Sequence, residues 1–359
     1  MKKQVPQQIL IIVQRSNGDV FLSSPLIEGL FNAYGGPHID LLVNSDTLAV
    51  AGMLPHIRHI LQFSYDKGRS AQTRALIRQT ARRYDLSICL TASDRSVLFA
   101  VLSGRKSISA VEKQLKKSWW KRLLLSGNYN FDTGRHIIEN NTRALGLLGI
   151  GQERPVLGSG HSLQAAEKID AVLQSKGIGD FLVFHPCAQY DYKVYPEKHR
   201  NRLLEELSAL GLKIVVTGSR SALDLRIKKS LPRLGNVFDF IGETSMDELV
   251  ALSDRSLAYI GADTLNMHIA ASQNKRIFAI FGPTLIRMWS PWSNMLHRGA
   301  LENRPVQTYG NITLFQADMP CVACGKTGCD DHHGISECLF QIDPLVIRKE
   351  VERWLTTFR

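Results

Sequence analysis

Five consecutive apolar residues, Ile9-Leu10-Ile11-Ile12-Val13, restrict this chain's fold more than any other feature. A run with no polar alternate cannot lie half-exposed, so it reads as a strand covered on both faces, as in a parallel sheet. It is too short to span a bilayer, and after Met1-Lys2-Lys3 it is too short for a signal-peptide core. No later segment is long and apolar enough for a span either, so a cytoplasmic location with reduced thiols is expected. Helix-like patterning follows over 20–33, then a strand over 39–43, a helix over 71–83 and a strand over 86–90. Alternation of this kind means α/β with a parallel sheet.

Residues 153–162 contain Pro155, Gly158 and Gly160 with little apolar periodicity, and mark a linker. Beyond it the pattern restarts. Strands are expected over 181–184, 213–217, 257–260 and 277–280, and helices over 196–210, 221–231, 246–252 and 265–272. Pro196 suits a first helical turn, and Ser245 before Met246-Asp247-Glu248 suits an N-cap with acids behind it. The last segment, 344–358, has helical spacing at Val346, Ile347, Val351, Trp354 and Leu355. The 359 residues divide into domains at 1–157 and 158–342 and a closing helix at 343–359. Two doubly wound domains in succession predict a cleft lined by loops at strand C-termini.

Charge is uneven along the chain. Residues 1–157 carry 21 Lys/Arg against 11 Asp/Glu, whereas the remainder carries 23 against 22. Arg105, Lys106, Lys113, Lys116, Lys117, Lys121 and Arg122 cluster around a single acid, Glu112, with Trp119, Trp120 and Leu123 to Leu125 among or after them. This mixture suits an anionic membrane surface or an amphiphilic anionic ligand. A solvated helix with one apolar face fits it too. No nucleic-acid-binding module is recognisable.

Three strand-to-helix junctions carry residues suited to chemistry. In Ser16-Asn17-Gly18-Asp19-Val20, Gly18 suits a tight turn, and Asp19 either caps the helix or serves as a general base. Neither a dinucleotide fingerprint nor a P-loop occurs. In the run from His185-Pro186-Cys187 to Lys193-Val194-Tyr195-Pro196, Lys193 is either an exposed lysine or a point charge for a phosphate beside a helix N-terminus. In Gly261-Ala262-Asp263-Thr264-Leu265-Asn266-Met267-His268, Asp263 and Thr264 occupy the first turn, and His268 follows Thr264 by one turn. Alone these are an N-cap and an ordinary helix histidine; with Lys193 they suggest a diphosphate site. Phe281-Gly282-Pro283-Thr284 is a turn after the last expected strand.

Cys321, Cys324, Cys329 and Cys338 have spacings x2, x4 and x8, with His332 and His333 inside the last gap. A structural zinc or iron site, buried free thiols and disulfides are all compatible with this pattern. Cys89 and Cys187 fall in strand-like positions, where core packing is the default.

Taken in order, strand-x-x-x-x-G-D-V, H-P-x-x-x-x-x-x-K-x-[WY]-P, D-T-x-x-x-H-x-A-A and F-G-P-T, the chain resembles the bacterial lipopolysaccharide heptosyltransferases, glycosyltransferase family 9, over about residues 8–295. The resemblance implies a GT-B fold, two Rossmann-like doubly wound domains facing across a cleft. The first would bind acceptor, the second nucleotide-sugar, and the closing helix would cross back to the first. It implies inverting, metal-independent transfer of heptose from ADP-heptose to the inner core of lipopolysaccharide. Asp19 matches the catalytic aspartate, Lys193 the phosphate-binding lysine, and Asp263, Thr264 and His268 the donor-site run. The implied acceptor is phosphorylated and lipid-anchored, at the cytoplasmic face of the inner membrane. The basic first half fits such a partner.

The chain departs from the pattern twice. Leu265-Asn266 stands where the family usually has Gly after Asp-Thr, and Cys187 stands for a usual Gly. Both suggest a branch of the family, one adding an outer or branching heptose. Three other readings remain. One is a GT-B enzyme with another sugar donor or a protein acceptor. Another is a nucleic-acid-binding module around the four cysteines, disfavoured by the near-neutral second half. The last is a silent scaffold, against which Asp19 and Lys193 together argue.

Overall fold

The computed structural model describes residues 5–65, 68–151 and 154–358. Met1-Lys2-Lys3 and Glu153, the first residue of the expected linker, lie outside them. The chain forms two compact units that divide after Gly160, inside that linker.

The first unit holds six strands: β1 Gln8–Val13, β2 His38–Asn44, β3 Ile57–Phe63, β4 Tyr84–Cys89, β5 Gly104–Val111 and β6 Gly127–Asn130. All pair in parallel, in the order β3-β2-β1-β4-β5-β6. The apolar run sits on central β1, where Ile9 pairs with Ile39 on one side and Leu86 on the other. Residues Ile9 to Val13 are at most 1% exposed, as a strand covered on both faces requires. Strand order reverses between β1 and β4, which opens a crevice at their C-terminal ends.

The helix expected over 20–33 is two helices, Asn17–Phe21 and Ser24–Ala33. Pro25 causes the break. It has no N–H to continue the ladder, and it fits the first turn of the second helix. The basic segment is not one helix either. Arg105 and Lys106 lie on β5, and only Leu115–Leu124 is helical.

The second unit holds β7 Phe181–His185, β8 Lys213–Gly218, β9 Val237–Ile241, β10 Ala258–Ala262, β11 Arg276–Ile280, β12 Val306–Tyr309 and β13 Ile312–Phe315. Their order is β12-β13-β11-β10-β7-β8-β9. Without antiparallel β12, the winding repeats that of the first sheet, with its switch point between β7 and β10. Pro196 does not open its helix but caps Glu197–Ser208, with extended ψ 141°. The closing helix, Pro344–Phe358, buries Ile347, Val351 and Leu355 in the second unit's core, alongside Leu182, Phe184 and Tyr195.

Candidate active site

In the first unit the short helix after β1 presents Asp19, which is buried. Its Oδ2 accepts a hydrogen bond from Ser16 Oγ at 2.6 Å. Its Oδ1 lies 3.1 Å from Arg15 Nε, an ion pair without an aligned hydrogen bond. Neither oxygen accepts a helix amide among the described residues, so Asp19 is not a cap. The tight-turn reading of Gly18 also fails. Gly18 is helical, and a Cβ there would meet nothing within 4 Å. Asp19 is thus a buried carboxylate with Oδ1 free of hydrogen bonds among the described residues, and the space at the Gly18 Cβ position is open.

In the second unit the loops after β7 and β10 converge at the switch point. Lys193 lies in a single 3-10 turn, Asp191–Lys193, and its Nζ is 2.7 Å from Asp263 Oδ2. Burial alone would lower the Lys193 pKa, but the Asp263 charge and hydrogen bond outweigh it and hold the ammonium above its ordinary value. Thr264 precedes the helix Leu265–Ser272 in extended conformation, and its side chain makes no cap hydrogen bond. His268, inside that helix, is buried, and its Nδ1 has no partner among the described residues. Burial pushes its pKa down to about 4, against the charge of Asp263. A lysine held by a carboxylate, an uncapped helix N-terminus and a neutral imidazole suit a diphosphate.

Other residues fix these groups in place. A Cβ at Gly261 would come within 2.4 Å of the His185 carbonyl, so only glycine lets β10 lie this close to β7. His185 Nδ1 lies 2.9 Å from Thr217 Oγ1 and 2.9 Å from Asn266 Nδ2. Burial also pushes His185 down to about 4. Asn266, one of the two departures from the family pattern, thus ties the helix Leu265–Ser272 to the end of β7. The Lys193 turn is braced from the cysteine-rich loop. Ser336 Oγ donates to the Tyr192 carbonyl at 2.7 Å, and the His333 ring stacks on Tyr190 with centroids 5.2 Å apart. Sequence reasoning missed Asn266, His333 and Ser336 as supports. The Ser336 contact spans 144 residues, and no local pattern signals it.

The seven basic residues do not form one surface. Lys121 is fully buried, with Nζ 2.9 Å from Glu112 Oε1 and 2.8 Å from Asp94 Oδ1. Arg122 is turned inward to Ser118 Oγ at 3.0 Å, Asn128 Oδ1 at 3.0 Å and the Glu112 carbonyl at 3.1 Å. Lys121 is therefore withdrawn from the surface, and Arg122 is half-buried. Arg105, Lys106, Lys113, Lys116 and Lys117 are exposed.

Cys321, Cys324 and Cys329 are exposed and Cys338 is buried, all as free thiols. Burial first, and then the charges of Cys329, Cys324 and Cys321, push Cys338 up to about 11. Among the described residues, no group of three or more His, Cys, Asp or Glu is placed to hold a metal ion. The thiols as arranged do not fit one, and His333 is drawn off to the tyrosines. Cys89 and Cys187 are both buried, and a Cβ at Gly218 would lie 2.6 Å from Cys187 Sγ, so Cys187 fills that space. Among the described residues no helix is long and apolar enough to cross a membrane.

Residues 73–310 match the model of glycosyltransferase family 9 (heptosyltransferase), a span that includes Lys193, Asp263, Thr264 and His268. Lipopolysaccharide heptosyltransferase 3 of Escherichia coli K12 is 28% identical over 291 residues, which cover 78% of this chain and 83% of that protein. A glycosyl transferase family 9 structure from Veillonella parvula is similar at TM-score 0.77 and 18% identity, covering 98% of this chain and 97% of that one. The E. coli ADP-heptose LPS heptosyltransferase II structure is similar at TM-score 0.72 and 18% identity, covering 98% and 99%. These two structures share the fold, two Rossmann-like units of the GT-B class. With the family model covering most of the chain and both sheets wound alike, the chain belongs to glycosyltransferase family 9 (heptosyltransferase) and is a glycosyltransferase.

Proposed function

We propose that this glycosyltransferase moves heptose from ADP-heptose to the inner core of lipopolysaccharide, with inversion and without a metal. The reading rests first on the Lys193–Asp263 pair, 2.7 Å apart beside an uncapped helix N-terminus. The names of the relatives supply the sugar and the acceptor. The acceptor hydroxyl attacks the anomeric carbon as its bond to the ADP oxygen breaks, and Asp19 takes the hydroxyl proton. Asp19 must come within ~3 Å of that oxygen, or reach it through one water. Negative charge grows on the departing diphosphate. Asp263 occupies one Lys193 donor, and the remaining N–H groups, the helix amides and neutral His268 stabilise that charge.

The acceptor is lipid-anchored on this reading, and the enzyme works at the cytoplasmic face of the inner membrane. A second reading keeps the fold and changes the donor sugar or uses a protein acceptor. Leu265, standing where the family has glycine, favours it.

The test is turnover of purified protein with ADP-heptose and truncated core lipopolysaccharide, read as ADP release and acceptor mass. A heptose-sized gain that vanishes in Asp19→Asn, with ADP-heptose binding retained, supports the whole scheme. Transfer only from another nucleotide-sugar moves the function to the second reading. Normal turnover in Asp19→Asn removes Asp19 from the base role.

A further inference from the structure

The helix Leu115–Leu124 is amphipathic in reverse. Its inward side carries buried polar groups beside one apolar anchor: Ser118 and Lys121 are fully buried, Arg122 is hydrogen-bonded to Ser118 and Asn128, and Trp120 packs on the first unit's core. Its outward side carries Leu115, Trp119 and Leu123, which are 67%, 62% and 76% exposed. These three recur at i, i+4 and i+8, so they form one stripe. A helix packed for water alone buries its apolar stripe and solvates its lysines. Here Glu112 and Asp94 hold Lys121 inward and so fix the opposite orientation. A contiguous exposed apolar stripe marks a surface that something covers.

Charge selects the occupant. Lys116 borders the stripe, Lys113 and Lys117 are exposed nearby with Lys113 Nζ 3.5 Å from Asp132 Oδ1, and residues 113–124 contain no acid. A second copy of the chain would bring the same cations against them, whereas an anionic bilayer would attract them. Position agrees with this choice. The helix begins just beyond the C-terminal end of β5, the same edge of the parallel sheet at which Asp19 follows β1.

We propose that Leu115, Trp119 and Leu123 insert at the surface of an anionic lipid bilayer while Lys113, Lys116 and Lys117 engage its phosphate headgroups. The purpose of this docking, though not the binding itself, rests on the reading that the acceptor is lipid-anchored. Docking there would present a membrane-borne sugar at the edge of the sheet that carries Asp19.

The test is co-sedimentation of the full chain with phosphatidylcholine vesicles, with and without phosphatidylglycerol, in the absence of donor and acceptor. Binding is expected only to the anionic vesicles, weakening as salt rises. Trp119→Glu/Leu123→Glu should weaken binding by about tenfold or more. Neutralising Lys113, Lys116 and Lys117 should cost about fivefold each. The double variant should keep its melting temperature and its turnover on a water-soluble truncated acceptor, because both side chains face outward. Equal vesicle binding by wild type and double variant overturns the proposal. So does a wild-type dimer that the double variant dissociates with vesicle binding unchanged. Vesicle binding without transfer to any acceptor would sink the heptose reading and leave this surface standing.

Discussion

The sequence places Asp19, Lys193, Asp263 and His268 one to eight residues after a strand end, where parallel winding brings loops together. Burial was not legible. Lys121 reads as a surface lysine, and its fate is decided by Glu112 and by Asp94, which precedes it by a whole strand. Gly18 reads as a turn glycine, yet it is helical with open space at its Cβ. On the reading that Asp19 is the base, a side chain at 18 would stand in open space next to it in the chain. Gly18→Ala should keep or raise the melting temperature, since alanine in a helix gains roughly 0.5–1 kcal/mol over glycine. It should also lower kcat/KM for the acceptor. A fall in both stability and activity would return Gly18 to a structural role. Lys193→Ala should lower kcat by roughly 10²-fold, by comparison with loss of one oxyanion donor. A variant within threefold of wild type would show that the helix amides alone carry the leaving group.

The strands read correctly from sequence are the sheet centres: β1, β2 and β4, and β7, β8, β10 and β11. Those missed lie at an edge or next to one. Edge strands β3, β6, β9 and β12 need an apolar face on only part of their surface, so polar residues such as Arg58 and His59 on β3 break the pattern. β5 opens with Gly104-Arg105-Lys106 and becomes buried only from Ser107. The spacing of the cysteine-rich loop admits a structural metal, buried free thiols or disulfides. Its contacts brace the Lys193 turn, through Ser336 and His333. Ser336→Ala/His333→Ala should therefore raise KM for ADP-heptose several-fold with little change in kcat. A lower melting temperature with unchanged KM would mean that the loop only packs.

At the scale of the molecule, the twofold winding and the linker were legible because both halves repeat one pattern of buried strands and amphipathic helices. The pH dependence of stability was not, because it rests on how deeply two histidines are buried. His185 and His268 both titrate near pH 4 in the folded second unit, chiefly through burial. Unfolded, each titrates at about 6.5. Above that value both are neutral in both states and contribute no pH dependence. Below it the unfolded chain binds protons that the folded chain refuses, so stability falls as pH drops and levels off below about 4. The two sites should each remove about 2 kcal/mol between pH 7.5 and 5. Asp40, in the first unit, also shifts down, but for a different reason. Burial would raise it, but Arg58 and Tyr84 hold it below the ordinary carboxylate value. It therefore retains its contribution through this window and loses it only in stronger acid. Urea unfolding of the second unit from pH 7.5 to 5 should show the fall, and His185→Gln and His268→Gln should each flatten it by about half. The readout is the slope with pH rather than the absolute midpoint, so a packing defect in either variant does not mimic the result. An undiminished slope in both variants would mean that other groups govern acid unfolding.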